Sequence, residues 1–347
     1  MAVRRNKRGK KSQGRGVAGV FLTLFLIAVV AVGAAAWLVL TPFGPVRETF
    51  VEIEPGSGTA RIARQLETAG VVRSQYGFDL LRWVKRGTLR AGEYRFDHPA
   101  TVLEIYARIA RGDVYTKTVV VPEGASIFEI ATRLEQAGIG TRQGFLDAQA
   151  QQVDLIADLD PKAKTLEGYL FPDTYRFPRK ATPAQIAASM VRRFRVMAAE
   201  LGLKENVHAV VTMASLVERE TAVDSERPLV ASVFFNRLGK HMPLMTDPSV
   251  IYGLQLQNKW QGTIYRSDLT HDTPYNTYLH GGLPPGPIAN PGLPALKAAM
   301  QPAQTDYLYF VAAGANPQGQ SLFSKTLEEH THNVSEYRHT LKKAGGR

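Results

Sequence analysis

Cysteine is absent from this chain of 347 residues. The absence excludes disulfide bridges, thiolate metal ligands and a cysteine nucleophile. The eight histidines are scattered, and none belongs to an HExxH motif. His330 and His332 are two residues apart, a spacing that directs their side chains to different faces of a helix. The sequence therefore predicts no metal site and no cofactor.

Acidic residues are missing from the first sixteen residues, which contain seven lysines or arginines. These seven cations supply most of the formal net charge of +11 and leave only +4 for the rest of the chain. A basic segment directly before an apolar run is typical of the cytoplasmic flank of a membrane-spanning helix and of contact with anionic lipid. We therefore expect no nucleic-acid partner.

Charged residues are missing again between Val17 and Val46. A helix over residues 17–40 would be about 36 Å long, enough to cross a bilayer core of about 30 Å. We predict a single transmembrane helix at 17–40 after a cytoplasmic basic tail at 1–16, with the later residues outside the inner membrane. A cleaved signal peptide is the alternative, because Ala34, Ala35 and Ala36 would suit a signal peptidase. The apolar run, however, exceeds the roughly 7 to 15 residues of a signal core.

A weak internal repeat follows the apolar run. The segment IEPGSGTARIARQLETAGVV begins at Ile53, and VPEGASIFEIATRLEQAGIG begins at Val121. Each copy predicts a short strand, a Pro/Gly turn and an amphipathic helix that ends at a glycine, Gly70 or Gly138. Such small α/β units resemble LysM-like modules, which bind N-acetyl sugar chains in cell-wall proteins. We assign residues 47–160 to this LysM-like region, and its binding of sugar stays open.

Aromatic and turn-forming residues become frequent from about Leu166. We predict a long helix from Pro183, a second that contains Glu218, and a third that ends at Gly239. The stretch from MPLMTDPSVIYGL to THDTPYNTYLHGGLPPGPIANPG is predicted to be mostly loop, and TDYLYFVAA a buried strand before a charged terminal helix. Long ordered loops beside helices often form binding grooves, and Tyr, Asn and Asp side chains suit carbohydrate.

Glu218, in MASLVERET, lies on an apolar helical stripe with four-three-four spacing. The stripe residues are Val207, Val211 and Ala214. A carboxylate in apolar surroundings usually has a raised pKa, and a helix C-terminus disfavours negative charge further. A carboxylic acid that stays protonated near neutral pH can donate its proton to a glycosidic oxygen. The alternative is that Glu218 turns into solvent or meets an arginine; Arg219 and Glu220 are predicted to reach water.

Several motifs occur in a fixed order in the second half of the chain. They are EGYLFPDTY, ASLVERET, VFFNRL, TDPSVIYGL, YNTY, GLPPGPIANPG and DYLYFVA. This set resembles the endolytic murein transglycosylases, the MltG or YceG-like family, over roughly residues 166–342. The predicted fold class is α+β: one N-terminal transmembrane helix, a small LysM-like α/β module, and a mixed α/β catalytic domain at 166–345 with long groove-forming loops.

The resemblance implies a lytic transglycosylase that cuts the bond between N-acetylmuramic acid (MurNAc) and N-acetylglucosamine (GlcNAc) in peptidoglycan without adding water. The MurNAc C6 hydroxyl attacks its own anomeric carbon and leaves a 1,6-anhydro end. One carboxyl group serves first as the acid and then as the base. The family's catalytic glutamate falls on Glu218.

Five further residues are predicted to line the groove and to orient the sugar. They are Asn236, Asp247, Tyr252, Tyr275 and Asn276. Asn236 and Asp247 have an alternative role, which is to cap helices or to hold loops in place.

A hydrolase with two carboxylates is the alternative reaction. Glu218 and Glu220 cannot form that pair, because they point about 200° apart on one helix. Asp247 could approach from its loop as the second carboxylate.

The leading hypothesis is an enzyme anchored in the inner membrane by a single span, with its N-terminus in the cytoplasm and its catalytic domain in the periplasm. It would cut peptidoglycan strands near the bilayer and limit their elongation, with peptidoglycan synthases (penicillin-binding proteins) as partners. The alternative is a non-catalytic, membrane-tethered scaffold that binds peptidoglycan and recruits synthases. A Glu218→Gln substitution separates the two, because only the enzyme would lose a function.

Overall fold

The computed structural model describes residues 13–314 and 320–345. Most of the predicted basic tail, residues 1–12, lies outside the described part of the chain. The chain divides into two compact units, residues 1–116 and residues 117–347.

The first unit begins with the long apolar helix and continues as a small α/β structure. Its elements are α1 (Gln13–Leu40), β1 (Thr49–Ile53), α2 (Thr59–Thr68), α3 (Gln75–Lys85), β2 (Gly92–Phe96) and α4 (Val102–Arg111). Over Gly19–Leu40, α1 is long and apolar enough to cross a membrane, a test that a signal sequence near the N-terminus also passes. The core of this unit packs α2, α3 and α4 around the two strands, with Phe78, Tyr94 and Ile109 fully buried.

The second unit is larger and mostly helical. Its first elements are β3 (Lys117–Val121), α5 (Ile127–Gln136), α6 (Arg142–Gln151), β4 (Asp173–Phe177) and α7 (Pro183–Leu201). They are followed by α8 (Val207–Glu220), α9 (Arg227–Gly239), α10 (Asp247–Leu256), α11 (Leu293–Met300), β5 (Tyr309–Ala312), β6 (Ser321–Ser324) and α12 (Leu327–Gly345). The three predicted helices are therefore confirmed: one begins at Pro183, one contains Glu218, and one ends at Gly239.

The internal repeat corresponds to two strand-helix-helix-strand arrangements. In the first copy β1 pairs antiparallel with β2, Ile53 opposite Gly92, and in the second β3 pairs antiparallel with β4, Val121 opposite Asp173. The second copy extends to Phe177, so the predicted boundary between 160 and 166 falls inside it. The reason is that β4 is formed by DTYRF, which belongs to the aromatic motif assigned to the catalytic domain.

Local capping explains why the helices begin where they do. Thr101 with Glu104 and Ser126 with Glu129 form reciprocal capping boxes at the starts of α4 and α5, and these satisfy amide groups that the helices leave open. Both predicted glycine ends, Gly70 and Gly138, have positive φ values of 68° and 66° directly after α2 and α5.

Two predictions of local structure were wrong. The TDPSVIYGL segment forms helix α10 and not a loop, because the Thr246 hydroxyl accepts the Ser249 amide and a proline follows in the first turn. The strand β5, predicted to be buried, is only partly covered, since it pairs with β6 alone in a two-stranded sheet.

Candidate active site

Glu218 lies in the last turn of α8, and its side chain is only 4% exposed. The stripe of Val207, Val211 and Ala214 is buried as predicted, so the apolar face of this helix is confirmed. The stripe packs into the core of the second unit and holds the end of α8 in place. A carboxylate is thus fixed at the edge of a rigid helix.

The buried carboxylate has two polar partners. Its Oε1 accepts a hydrogen bond from Arg227 Nη2 at 2.8 Å, and its Oε2 accepts the Gly292 N–H at 2.9 Å. Arg227 comes from the start of α9, is itself only 5% exposed, and also pairs with Asp224. Glu218 therefore meets an arginine, as the alternative interpretation predicted, and is not isolated among apolar side chains. Both contacts stabilise the negatively charged form.

A second carboxylate, Glu123, approaches the same arginine from the turn after β3. Its Oε2 lies 3.7 Å from Arg227 Nη2, so the nearest oxygens of Glu123 and Glu218 are no more than 6.5 Å apart, the sum of their distances to that nitrogen. Burial and the charge of Glu218 raise the pKa of Glu123, and Arg227 opposes the shift. The sequence analysis missed Glu123, although VPEGAS places an acid in the turn of the second repeat copy.

Two glycines allow the carboxylates to approach the backbone this closely. A Cβ on Gly292 would lie 2.0 Å from Glu123 Oε1, and a Cβ on Gly124 would lie 3.3 Å from Glu218 Cγ. Gly124 also has a φ of +74°, which favours glycine. Neither contact would fit a larger residue without movement of a carboxylate.

Glu220 is only partly exposed, less than the prediction of a water-facing side chain implied. Burial and the nearby charge of Asp247 raise its pKa to about 7, whereas Arg237 and Arg219 oppose the shift. Asp247, the first residue of α10, accepts a hydrogen bond from the Tyr278 hydroxyl at 2.6 Å. The prediction failed because the α10 segment was expected to be loop, while the structure brings its first turn towards the end of α8.

An open cleft exposes this part of the molecule to solvent. It is lined by Glu123, Gly124, Glu218, Arg219, Glu220, Thr221, Ala222 and Arg227. Acidic and basic groups therefore both face the cleft, and such groups can form hydrogen bonds with a hydroxyl-rich ligand.

The five predicted sugar contacts lie elsewhere among the described residues, since none of them lines this cleft. Asn236 donates to the carbonyls of Thr305 and Tyr307, and it thereby holds the chain before β5 in place. This arrangement corresponds to the loop-holding alternative. Asp247 contacts Tyr278, as described above.

Tyr252 and Asn276 are buried, at 2% and 0% exposure. Asn276 donates to the carbonyls of Leu269 and His271 and so closes its own loop. The Tyr252 ring packs edge-on against the partly buried Tyr275, with centroids 5.0 Å apart. Direct contact of Tyr252 and Asn276 with a sugar does not fit this burial.

Glu167 is a further buried carboxyl that the sequence analysis quoted in EGYLFPDTY but did not single out. It is 1% exposed, accepts the Ile127 N–H at the start of α5, and accepts the side-chain amide of Asn290 at 2.8 Å. Asn290 also accepts the Leu170 N–H. Glu167 thus joins three motifs that are distant in sequence, and burial raises its pKa from 4.5 to about 8.

We expect Glu167 to make the folded protein less stable as pH rises from 4.5 to about 8. In that window the folded state holds a proton that the unfolded state has lost, so the free energy of unfolding falls by up to about 1.4 kcal/mol per pH unit. Glu167→Gln removes this term and should flatten the fall in thermal stability between pH 6 and pH 8. An exposed acid, Glu205→Gln, is the control and should leave the slope unchanged. A Glu167→Gln slope equal to that of the parent would contradict the prediction.

Comparisons with known proteins agree with the predicted resemblance. The YceG-like family model matches residues 51–336. The endolytic murein transglycosylase of Bacillus subtilis (strain 168) is 33% identical over 308 residues, covering 83% of this chain and 84% of the relative. That of Streptococcus pneumoniae (strain R6) is 30% identical over 321 residues, covering 83% of this chain and only 58% of the relative.

A solved structure supports the same assignment. The crystal structure of a YceG-like protein from Listeria monocytogenes, 33% identical, superposes with a TM-score of 0.54 over 83% of this chain and 99% of that one. The family match over most of the chain and the identity to the bacillary relative show that this chain belongs to the YceG-like family.

Proposed function

We propose that this chain is a membrane-anchored endolytic lytic transglycosylase that cuts the MurNAc–GlcNAc bond of nascent peptidoglycan and leaves 1,6-anhydro-MurNAc ends. The observation that carries the proposal is Glu218, a buried carboxylate held by Arg227 and the Gly292 amide at the wall of an open polar cleft. The names of the bacterial relatives support the same activity. The scaffold alternative is not favoured, because those relatives are named as enzymes.

Glu218 serves in both halves of the proposed reaction. As the acid it protonates the glycosidic oxygen while the GlcNAc leaves, and as the carboxylate it accepts the proton of the attacking C6 hydroxyl. Arg227 and the Gly292 N–H stabilise the carboxylate form that exists between these two steps. No water is consumed, because the C6 oxygen bonds to the anomeric carbon in place of the departing GlcNAc oxygen, and the proton that the C6 hydroxyl loses restores the acid form of Glu218.

Glu123 helps to keep a proton available at this site. Two carboxylates that share one arginine cannot both lose their protons without mutual repulsion. Burial and this repulsion by Glu218 both raise the pKa of Glu123. When a glycan strand covers the cleft and excludes water, repulsion between the two groups increases, and one proton stays on the pair.

Membrane anchoring places the reaction beside the bilayer. We propose that α1 crosses the inner membrane once, that the basic residues before it stay in the cytoplasm, and that the chain after α1 lies in the periplasm. Glycan strands emerge from their synthases at that surface. Penicillin-binding synthases are therefore the proposed partners, and cleavage there would limit strand elongation.

Product mass tests the reaction. The full chain, reconstituted in lipid vesicles, is incubated with uncross-linked glycan strands, and the fragments are analysed by mass spectrometry. Lytic transglycosylation gives internal cuts whose products are lighter by one water than hydrolytic fragments. Products of hydrolytic mass would overturn the proposal and assign Glu123 and Glu218 to a two-carboxylate hydrolase. Intact strands that are bound but not cut would favour the scaffold.

We expect Glu123→Gln to shift the pH dependence of turnover. The substitution removes the carboxyl group whose pKa is raised by burial and by the charge of Glu218, and with it the proton that this group retains at higher pH. The alkaline limb of the pH–rate profile should therefore move to lower pH, while cleavage persists at the acidic end. Glu200→Gln, which removes a charge from the exposed last turn of helix α7, is the control. An unchanged alkaline limb would show that Glu123 does not influence the catalytic proton.

A further inference from the structure

Helix α3 in the first unit carries an exposed apolar face. Its large side chains Tyr76, Leu80, Trp83 and Val84 are exposed, with Trp83 at 72%. Their spacing of four, three and one residues places them on one side of the helix. Phe78 and Leu81 lie on the other side and belong to the core. The exposed face is therefore additional to the face that folds the unit.

The same helix packs against the last turn of α1. A Cβ on Gly77 would lie 3.5 Å from Leu38 Cβ, so the two helices are in close contact there. At 100° per residue, Leu80 and Val84 lie within about 60° of Gly77, on the side away from Phe78. The apolar face is thus continuous with the edge of α3 that touches α1.

A cation holds the junction between these helices. The guanidinium of Arg73 lies 4.3 Å from the centre of the Trp37 ring and 4.8 Å from that of Phe43. Trp37 belongs to α1, and Arg73 directly precedes the N-cap Ser74 of α3. The start of α3 is therefore fixed relative to the end of α1.

The length of the apolar run sets the position of this contact along the bilayer normal. The run ends at Leu40, and Leu38 is about 3 Å from that end at 1.5 Å per residue. If α1 crosses the bilayer, Gly77 lies where the hydrocarbon core meets the headgroups. Tyrosine and tryptophan are the residues that favour this layer. Two exposed cations, Lys85 and Arg86, follow the face at the end of α3 and suit anionic headgroups.

We propose that the α3 face of Tyr76, Leu80, Trp83 and Val84 binds the surface of the bilayer that α1 spans. The face enters the headgroup layer, with its aromatic rings at the interface and its terminal cations on anionic lipid. This second contact restrains the tilt of the first unit relative to the bilayer. The inference rests on the proposed anchoring by α1, and its test separates the two.

Tryptophan fluorescence tests the proposal with the full chain in vesicles of phosphatidylethanolamine and phosphatidylglycerol. The chain has three tryptophans, Trp37, Trp83 and Trp260, so replacing two of them with phenylalanine leaves one reporter in each variant. Lipids brominated at shallow or deep positions of the acyl chain then quench the reporters that lie near them. Trp37 reports on α1, Trp83 on the α3 face, and Trp260 on a site in the second unit.

We expect Trp83 to show blue-shifted emission and stronger quenching by shallow than by deep bromine. If Trp37 is quenched while the emission of Trp83 stays red-shifted and unquenched, the inference is overturned and the anchor stays intact. Loss of quenching at both positions would show that α1 does not insert, and it would overturn the anchor and the inference together. If Trp83 is exposed in these vesicles but shielded from acrylamide in native membranes, a protein partner covers the face and the proposal is wrong.

Discussion

Glu218→Gln is expected to lower the turnover of glycan strands by about 10³-fold or more. Glutamine keeps the shape of the side chain, but its amide can neither donate a proton to the glycosidic oxygen nor accept one from the C6 hydroxyl. The loss should appear in kcat and not in strand binding, because the substitution removes proton transfer and leaves the cleft in place. Turnover is measured as reducing or anhydro ends released from uncross-linked strands, and binding by co-sedimentation with intact sacculi.

Some loss of stability accompanies this substitution. Arg227 and the Gly292 amide both donate to Glu218, whereas a glutamine can accept only through one oxygen. Glu200→Gln is a matched control, since Glu200 is an exposed residue in the last turn of another helix, α7. A folded Glu218→Gln protein with the turnover of the Glu200→Gln control would remove Glu218 from the proposed mechanism.

The sequence was sufficient to predict the buried helical face on which Glu218 lies, but not the residues that contact its carboxylate. Helical spacing within fourteen residues determines which face of α8 is buried, and that face was predicted correctly. Arg227 lies beyond the end of α8, and Gly292 is 74 positions away in the chain. Contacts of that kind depend on the packing of α9 and α11 against α8, which no local pattern specifies.

The repeat shows the same division between local and distant information. The strand, turn and helix of each copy were predicted because their signals lie within about twenty residues. The closing strand of the second copy, β4, lies beyond two helices, and its pairing with β3 could not be inferred from its sequence. In the first copy the turn acid Glu54 forms an exposed pair with Arg61, whereas in the second Glu123 faces the Glu218 cleft. Similar sequences thus have different surroundings.

Burial of polar residues was the least predictable feature. Glu220 was assigned to solvent by its rotation on α8, and Tyr252 and Asn276 were assigned to a groove by their composition. In each case a segment that was expected to be loop packs as ordered structure around the side chain. For Asn276, hydrogen bonds to two carbonyl groups of its own loop satisfy the side-chain amide, so a residue type suited to sugar holds the fold instead.

Gly292→Ala is expected to lower turnover by about 10²-fold with little change in thermal stability. The backbone of Gly292, with φ −78° and ψ 175°, accepts alanine without strain. The new Cβ would, however, lie 2.0 Å from Glu123 Oε1, so the Glu123 side chain must leave its position beside Arg227. Because that side chain is 45% exposed, it can turn into solvent while the protein stays folded. Gly281→Ala is the control, since a Cβ there has no neighbour within 4 Å.

A double-mutant comparison shows whether the alanine acts through Glu123. In a Glu123→Ala background the obstructing carboxylate is gone, so adding Gly292→Ala should cost little further turnover. If the two losses instead multiply, the alanine acts independently of Glu123 and disturbs Glu218 through the Gly292 amide. The steric contact between Gly292 and Glu123 thereby links the turn after β3 to the chemistry at the end of α8, since displacement of one side chain from Arg227 is predicted to lower the rate.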